Sequence, residues 1–146
     1  MIGAAVYRLR AQNSAWLPMV HGRLLHAAFF AALQEISPTL SGYVHDQMNI
    51  KPFTVSELTP WKQTLRRQGS GWNIAAGTRL DWRVTGLNDV MLQAIAAIRP
   101  NHSFRVGRLL LVVEKLMMDP AEHPDSGILD ENELIAACLQ EPQIDE

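Results

Sequence analysis

Two helical segments, each set between strand-forming segments, constrain the fold of this 146-residue chain most strongly. The first runs from about 20 to 35 and repeats apolar residues at intervals of three and four, which predicts one buried face. That stripe consists of Leu25, Ala28, Phe29, Ala32, Leu33 and Ile36. The second helix follows Asn88, a residue type favoured at helix N-caps, and must end before Pro100 because proline cannot continue a helix.

Strand-like alternation of apolar and polar residues flanks both helices. In the first strand, 4–11, Tyr7 and Leu9 share one face, and arginines lie on the other. Similar segments follow at 52–58, 72–87 and 103–116. The last is either a strand pair or one long strand broken at Gly107. The order β-α-β-β-α-β predicts an α+β, ferredoxin-like fold, in which an antiparallel sheet carries both helices on one face. The other face is then open to a ligand or a second domain.

The chain has the size of one domain. Its length and its apolar fraction of 47% are sufficient for one hydrophobic core. We expect residues 1–146 to form a single ferredoxin-like domain in which 120–146 is an acidic tail. Within that tail, a capping pattern at Asp130 predicts a short C-terminal helix.

Three connecting segments also carry signals. Residues 13–18 are predicted as an irregular connection. Ser37 followed by Pro38 is typical of a helix start and predicts a short helix to about residue 46. The basic segment 61–71 ends in Gly-Ser-Gly and is predicted to be a hairpin tip or a mobile loop.

Charge is divided unevenly along the chain. Residues 1–113 contain 12 Lys and Arg against 5 Asp and Glu, whereas 114–146 contain 1 Lys against 10 Asp and Glu. The net charge of −2 therefore hides a basic body and an acidic tail. A basic body can bind polyanions, and an acidic tail can shield that surface. Ordinary solvated charge explains the same asymmetry equally well.

Several site classes have no signal in the sequence. It contains no P-loop, no GxGxxG or GxSxG motif and no zinc-type spacing of Cys and His. Cys138 is the only cysteine, which excludes an intramolecular disulfide. The apolar run 27–33 is too short to cross a bilayer, and the N-terminus lacks the pattern of a signal peptide. We therefore expect a cytoplasmic protein with no cofactor, no metal and no membrane partner.

The residue types needed for metal-free RNA cleavage occur close together in the sequence. His45 and Lys51 are six residues apart, beside an extended segment. A histidine can transfer protons near neutral pH, and a lysine can stabilise charge on a phosphate. His26 shares a helix face with Phe30 and is a third candidate. The structural alternatives are a helix-ending His45, a solvated Lys51 and a His26 that packs against a boundary aromatic residue.

Cations and aromatic residues alternate in the basic segment. Such a segment can follow phosphates while bases stack on its rings. The candidate RNA-binding residues are Lys62, Arg66, Arg67, Arg79 and Arg83, with Trp61 and Trp72 beside them. The alternative is a solvated loop whose tryptophans belong to the core.

The stretches HGRLLHAAFFAAL, SPTLSGYVHD and KPFTVSEL resemble the N-terminal part of the CRISPR-associated endoribonucleases that cut repeat RNA into guide RNAs. These enzymes are the sixth Cas protein family, within the RAMP superfamily. The block KPFTVS, residues 51–56, is the most specific part of the resemblance. Weaker similarity continues through RLDWRVTGL and HPDSGILDENELIAACL.

The resemblance implies two tandem ferredoxin-like domains and metal-independent cleavage that leaves a 2′,3′-cyclic phosphate and a 5′-hydroxyl. His45 falls on the catalytic histidine of the family and Lys51 on its lysine. Phe30 stands where the family has a tyrosine, fifteen residues before the histidine, and His26 is the candidate substitute. The second domain of the family carries a glycine-rich RNA-binding loop that this sequence lacks. The chain is therefore interpreted either as a fragment or as a natural one-domain remnant.

Three functions stay open at this point. The first is the N-terminal domain of a repeat-RNA endoribonuclease, inactive or weakly RNA-binding alone. The second is a non-catalytic RNA-binding or assembly subunit of a CRISPR ribonucleoprotein. The third is a ferredoxin-like protein-interaction or regulatory domain. The expected partners are CRISPR repeat RNA and other subunits of a CRISPR effector complex, and an exposed sheet face would favour a homodimer.

Overall fold

The computed structural model describes residues 1–36, 38 and 53–129 of the chain. Within these ranges the helices are α1 (Gly22–Ile36) and α2 (Asp89–Ala97). The strands are β1 (Ile2–Ala11), β2 (Ala15–Pro18), β3 (Phe53–Val55), β4 (Thr59–Pro60), β5 (Arg66–Gln68), β6 (Gly71–Ile74), β7 (Arg79–Gly86), β8 (Ser103–Val106), β9 (Leu109–Met117) and β10 (Gly127–Leu129).

The main sheet is antiparallel and has the strand order β3-β7-β1-β9-β8. Two short strands are added to it, since β4 also pairs with β7 and β10 also pairs with β1. The strands β1, β3, β7 and β9 correspond to the four strands of the predicted β-α-β-β-α-β pattern. Their order in the sheet is that of the ferredoxin-like fold. The predicted α+β, ferredoxin-like fold is therefore confirmed. The segment 103–117 is a strand pair that turns at Gly107, whose φ of 63° suits glycine.

Alternation in β1 and β7 buries one face of the sheet beneath the helices. Tyr7 lies opposite Trp82, and Leu9 lies opposite Leu80. These four side chains are fully buried. Burying each such large apolar side chain contributes about 1.5–3 kcal/mol, so this face is the main source of stability.

Both helices pack on that same face. From α1, the ring of Phe29 meets that of Trp82 edge-on, with 6.2 Å between centroids. From α2, the backbone carbonyl of Ile95 accepts a 2.6 Å hydrogen bond from the Tyr7 hydroxyl. Burial raises the pKa of this hydroxyl well above its usual value, so it stays a neutral donor. The predicted stripe of α1 is buried from Leu25 to Leu33, and its last member, Ile36, is half-buried.

Two connecting segments and one predicted strand differ from, or refine, the sequence prediction. The prediction of an irregular 13–18 is wrong, because β2 pairs with β6 in a second sheet of order β2-β6-β5. The single strand predicted over 72–87 is instead two strands, β6 and β7, in different sheets. Its break includes Gly77, which has a φ of 89°. The predicted hairpin tip is confirmed, since β5 and β6 are joined by the two residues Gly69 and Ser70.

The face of the main sheet opposite the helices is partly covered. Residues 119–126 cross it, and β10 then pairs with β1. Val6 points to this face and is only 1% exposed. Less of this sheet face is therefore open to a ligand or a second domain than the sequence predicted. The helices predicted over 37–46 and after Asp130 lie outside the described residues, apart from Pro38.

Neither helix in the described part of the chain is long and apolar enough to span a membrane.

The contact between Tyr7 and α2 can be tested by Tyr7→Phe. Removal of the hydroxyl deletes a buried hydrogen bond without deleting the ring, so the free energy of unfolding should fall by about 1 kcal/mol. Urea unfolding followed by circular dichroism measures this change. Val90→Ala, at an exposed position of α2, is the control and should leave the midpoint unchanged. An unchanged midpoint in Tyr7→Phe would show that the hydroxyl does not contribute to the docking of α2.

Candidate nucleic-acid interface

His26 is the predicted catalytic candidate that falls within the described residues; His45 and Lys51 lie outside them. It sits half-buried on α1, and its ring stacks on that of Phe53 with 4.7 Å between centroids. Phe53 begins β3 and follows Lys51 by two positions in the sequence. His26 therefore lies next to β3, the strand that begins within the KPFTVS block. Phe30 is half-buried and packs against the core.

His21 has a structural role that the sequence analysis did not identify. It is 4% exposed, and both ring nitrogens are engaged. The backbone N–H of Leu58 donates to Nε2 at 3.1 Å. Because Nε2 is an acceptor, Nδ1 carries the hydrogen and donates to the carbonyl of Pro18 at 2.9 Å. A neutral His21 thus links the end of β2 to the segment between β3 and β4, which helps position α1.

Three predicted RNA-binding cations are exposed, namely Lys62, Arg66 and Arg67. Arg66 and Arg67 form most of β5, at the outer edge of the small sheet. Lys62 precedes it in the chain, with its Nζ 4.8 Å from the ring centroid of Trp61. The Cζ atom of Arg8 lies 3.8 Å from the centroid of the same ring. Cations and an aromatic ring are therefore interleaved here, as the sequence pattern predicted.

Arg79 and Arg83, the other two predicted RNA-binding residues, already have partners within the protein. Arg79 forms an ion pair with Glu114, with 2.7 Å between Nε and Oε1. Arg83 is exposed but donates from Nε to the backbone carbonyl of Asp125 at 2.9 Å. Phosphate binding by either residue competes with these contacts. Lys62, Arg66 and Arg67 are the stronger candidates, because none of them forms an ion pair among the described residues. Arg67 makes only a long hydrogen bond, 3.4 Å from Nε to the backbone carbonyl of Gly69.

Asp81 fixes the segment 119–126 to the open face of the sheet. The residue is 8% exposed, and its carboxylate accepts from Nε and Nη2 of Arg8, at 2.9 and 3.1 Å. It also accepts from Nε2 of His123 at 3.2 Å, while Nδ1 of His123 accepts from the backbone N–H of Asp125 at 3.1 Å. Removing one partner from such a pair leaves the other poorly solvated, so we expect Asp81 to be structurally important.

A cleft of about 550 Å³ adjoins this cluster, and its lining argues against a phosphate site. Three carboxylates, those of Glu57, Asp81 and Asp125, face it together with Arg83 and His123. A polyanion would meet repulsion there. Across the described residues, no group of three or more His, Cys, Asp or Glu side chains could hold a metal ion.

His21→Ala should lower the stability of the protein more than Val20→Ala does. The substitution leaves the backbone N–H of Leu58 buried without an acceptor, which costs about 1–3 kcal/mol. Thermal unfolding of His21→Ala and Val20→Ala measures the difference, since Val20 is 87% exposed. Equal melting temperatures for the two variants would contradict the structural role of His21.

Asp81→Ala should loosen the segment 119–126. Loss of the carboxylate removes the acceptor of both Arg8 and His123, with an expected destabilisation of about 2 kcal/mol because the pair is only partly buried. Limited proteolysis should then cut near 119–126 faster than in the wild type. Asp125→Ala is the matched control, because its carboxylate is exposed. Equal cleavage of both variants and the wild type would show that Asp81 does not hold this segment.

Comparison with known proteins assigns the family. A family model described as the CRISPR Cas6 N-terminal domain matches residues 4–131. No curated protein matches the sequence. The match to a solved Cas6 product complex covers 92% of this chain and 47% of the Cas6 chain, with 25% identity and a TM-score of 0.64. Thermus thermophilus Cas6 covers 92% of this chain and 43% of its own, with 26% identity and a TM-score of 0.53.

A third structure, a CRISPR-associated Cas6 protein, has 20% identity and a TM-score of 0.57, and it supports the fold alone. It covers 80% of this chain and 48% of its own. The chain thus spans about half the length of the Cas6 chains that it matches. Because the family model covers most of the sequence, this chain belongs to the CRISPR Cas6 family.

Proposed function

We propose that this chain is the N-terminal half of an endoribonuclease that cuts CRISPR repeat RNA without a metal ion. The observation that carries the proposal is the match of the Cas6 N-terminal family model to residues 4–131. The length of the similar Cas6 chains, about twice that of this one, supports a second domain in the complete enzyme. The similarity to a Cas6 product complex supports RNA as the ligand.

In the proposed reaction, a base removes the proton of a 2′-hydroxyl, whose oxygen attacks the adjacent phosphorus. The new O2′–P bond closes a 2′,3′-cyclic phosphate as the bond from phosphorus to the 5′-oxygen breaks. An acid then protonates the leaving oxygen, which becomes a 5′-hydroxyl. We assign one proton transfer to His45 and stabilisation of the charged phosphate to Lys51.

His26 is the proposed second proton-transfer group. Its position on α1, stacked on Phe53, puts an imidazole beside the strand that follows Lys51. Phe30 cannot exchange a proton, so a histidine one helical turn away supplies chemistry that this phenylalanine does not.

The proposed RNA surface includes the exposed cations of the small sheet and of the segment that leads into β5. Within the part of the chain that the structure describes, Lys62, Arg66 and Arg67 form no ion pair with a carboxylate. Arg79 and Arg83 contribute less in this proposal, because each must first leave an internal contact.

A second candidate function is RNA binding or assembly within a CRISPR ribonucleoprotein without cleavage. Phe30 favours it, because the residue stands where the family has a tyrosine. In that case the basic surface would bind RNA, and His45 would take no part in RNA cleavage.

The two candidates separate in a cleavage assay. Labelled repeat RNA is incubated in EDTA with the protein as its gene encodes it, including any sequence beyond Glu146. We expect one cut in the repeat, and a fall in rate of about 10²- to 10⁴-fold in His45→Ala, typical for loss of a general acid or base. His102→Ala, which removes a histidine with no assigned step, is the control. Unchanged cutting by His45→Ala would refute the assigned mechanism, and salt-sensitive binding without any cutting would support the second candidate.

The salt dependence of RNA binding tests the assignment of the cations. Each phosphate contact with single-stranded RNA contributes about 0.7 to the slope of log affinity against log salt. Replacing Lys62, Arg66 and Arg67 together by Ala should therefore lower that slope by about 2. The double variant Arg79→Ala, Arg83→Ala should lower it less. The reverse ranking would place the RNA on the open face of the main sheet.

A further inference from the structure

The small sheet presents a row of three side chains on one of its faces. Trp16 of β2 lies opposite Asn73 of β6, which in turn lies opposite Arg66 of β5. Residues directly opposite one another in an antiparallel sheet project to the same side. An indole, an amide and a guanidinium are therefore aligned across three strands. Asn73 and Arg66 are exposed, and Trp16 is 45% exposed.

The Trp16 side chain is held at two points. Its Nε1 donates to the backbone carbonyl of Gln68 at 2.9 Å, across the strand between them. Its ring also packs directly on Gly71, where an added Cβ would come within 2.4 Å of ring atom Cε2. Only glycine leaves room for this contact. The ring is thus fixed in place while much of its surface stays open to solvent.

An exposed, fixed aromatic ring is suited to stacking. Tryptophan has only two side-chain torsions, and its anchoring has already removed most of their freedom, so little further entropy is lost when a planar group stacks on it. Among the described residues, Trp16 is the one exposed large apolar side chain that lies on the small sheet. A single ring among polar groups is less suited to a protein interface, whose centre needs a wider apolar area.

The charge of the surrounding sequence identifies the class of ligand. The stretches 12–22 and 58–78, which supply all three strands of the small sheet, contain no Asp or Glu. Their cations are Lys62, Arg66 and Arg67. This composition contrasts with the cleft on the main sheet, which three carboxylates line. The small sheet therefore combines a stacking platform with a local excess of positive charge, the combination that binds single-stranded nucleic acid.

We propose that Trp16 is a stacking subsite for one unpaired base of the RNA. Arg66 binds a phosphate next to that base, and the amide of Asn73 reaches the edge of the base. A base in a duplex has both faces covered, so the subsite selects a single-stranded segment that flanks any paired region of the repeat. This inference rests on the proposed function, since it concerns how the same RNA is held.

The test compares Trp16→Leu with Trp16→Phe by fluorescence anisotropy on single-stranded repeat RNA at fixed salt, with the protein as its gene encodes it. Leucine still covers Gly71 but has no aromatic face. Loss of one stacked base weakens binding by about tenfold or more, so Trp16→Leu should do so while Trp16→Phe keeps most of the affinity. Val20→Ala, another exposed apolar position, is the control and should bind like the wild type. Binding of a fully paired RNA duplex should be equally strong in all variants.

The outcomes are separable. If the wild type binds the RNA and Trp16→Leu binds as tightly, the stacking subsite is refuted and the proposed function stands. An equal loss of duplex binding also refutes it, because stacking on an unpaired base would not be the cause. If the wild type binds no RNA, both proposals fail.

A cross-linking experiment on the unmodified protein covers the case in which Trp16→Leu does not fold. Single-stranded repeat RNA containing 5-bromouridine is irradiated with the wild type, and the tryptic peptides are analysed by mass spectrometry. Trypsin releases Trp16 in the peptide 11–23, because Arg10 and Arg23 flank it. We expect the cross-link in that peptide at Trp16. Cross-links confined to other peptides would overturn the assignment.

Discussion

A chain of aromatic contacts joins the centre of the main sheet to the helix that carries a candidate catalytic histidine. Tyr7 contacts Trp82 with 6.0 Å between centroids, and Trp82 contacts Phe29 of α1 at 6.2 Å. Phe29 contacts Phe53 at 4.7 Å, and Phe53 stacks on His26 at the same separation. Close packing of these rings sets the distance between α1 and β3. The position of His26 therefore depends on the same burial that stabilises the fold.

Local patterns predicted the parts of the structure that local physics determines. The apolar stripe of α1, the Asn88 cap of α2 and the alternation in β1 and β7 all appear as expected, because each depends on neighbours within a few residues. The small sheet was not predicted, since β2 has only four residues and is stabilised by pairing with β6, more than 50 positions away. The ferredoxin-like order followed from the sequence, but the added strands β4 and β10 did not.

Candidate sites were harder to predict for the same reason. Asp81 is buried although it alternates with the core residues Leu80 and Trp82, because its partners Arg8 and His123 come from positions 73 and 42 residues away. Trp61 was recognised beside Lys62, but its contact with Arg8 requires the fold. Trp16 lies in a segment predicted to be irregular, so its alignment with Arg66 had no sequence signal. The exposure of Lys62, Arg66 and Arg67 agrees with the predicted basic hairpin.

Several cations of the main sheet are engaged within the protein. Arg8 and Arg79 pair with Asp81 and Glu114, and Arg83 donates to the backbone carbonyl of Asp125. The small sheet leaves its cations exposed and adds an anchored tryptophan.

The most direct test of RNA cleavage by the proposed mechanism identifies the chemical ends of the RNA products. Repeat RNA is incubated in EDTA with the protein as its gene encodes it, and the masses of the products are measured. We predict a 2′,3′-cyclic phosphate on one product and a 5′-hydroxyl on the other. Products with a 3′-hydroxyl and a 5′-phosphate, or cutting that stops in EDTA, would contradict this mechanism.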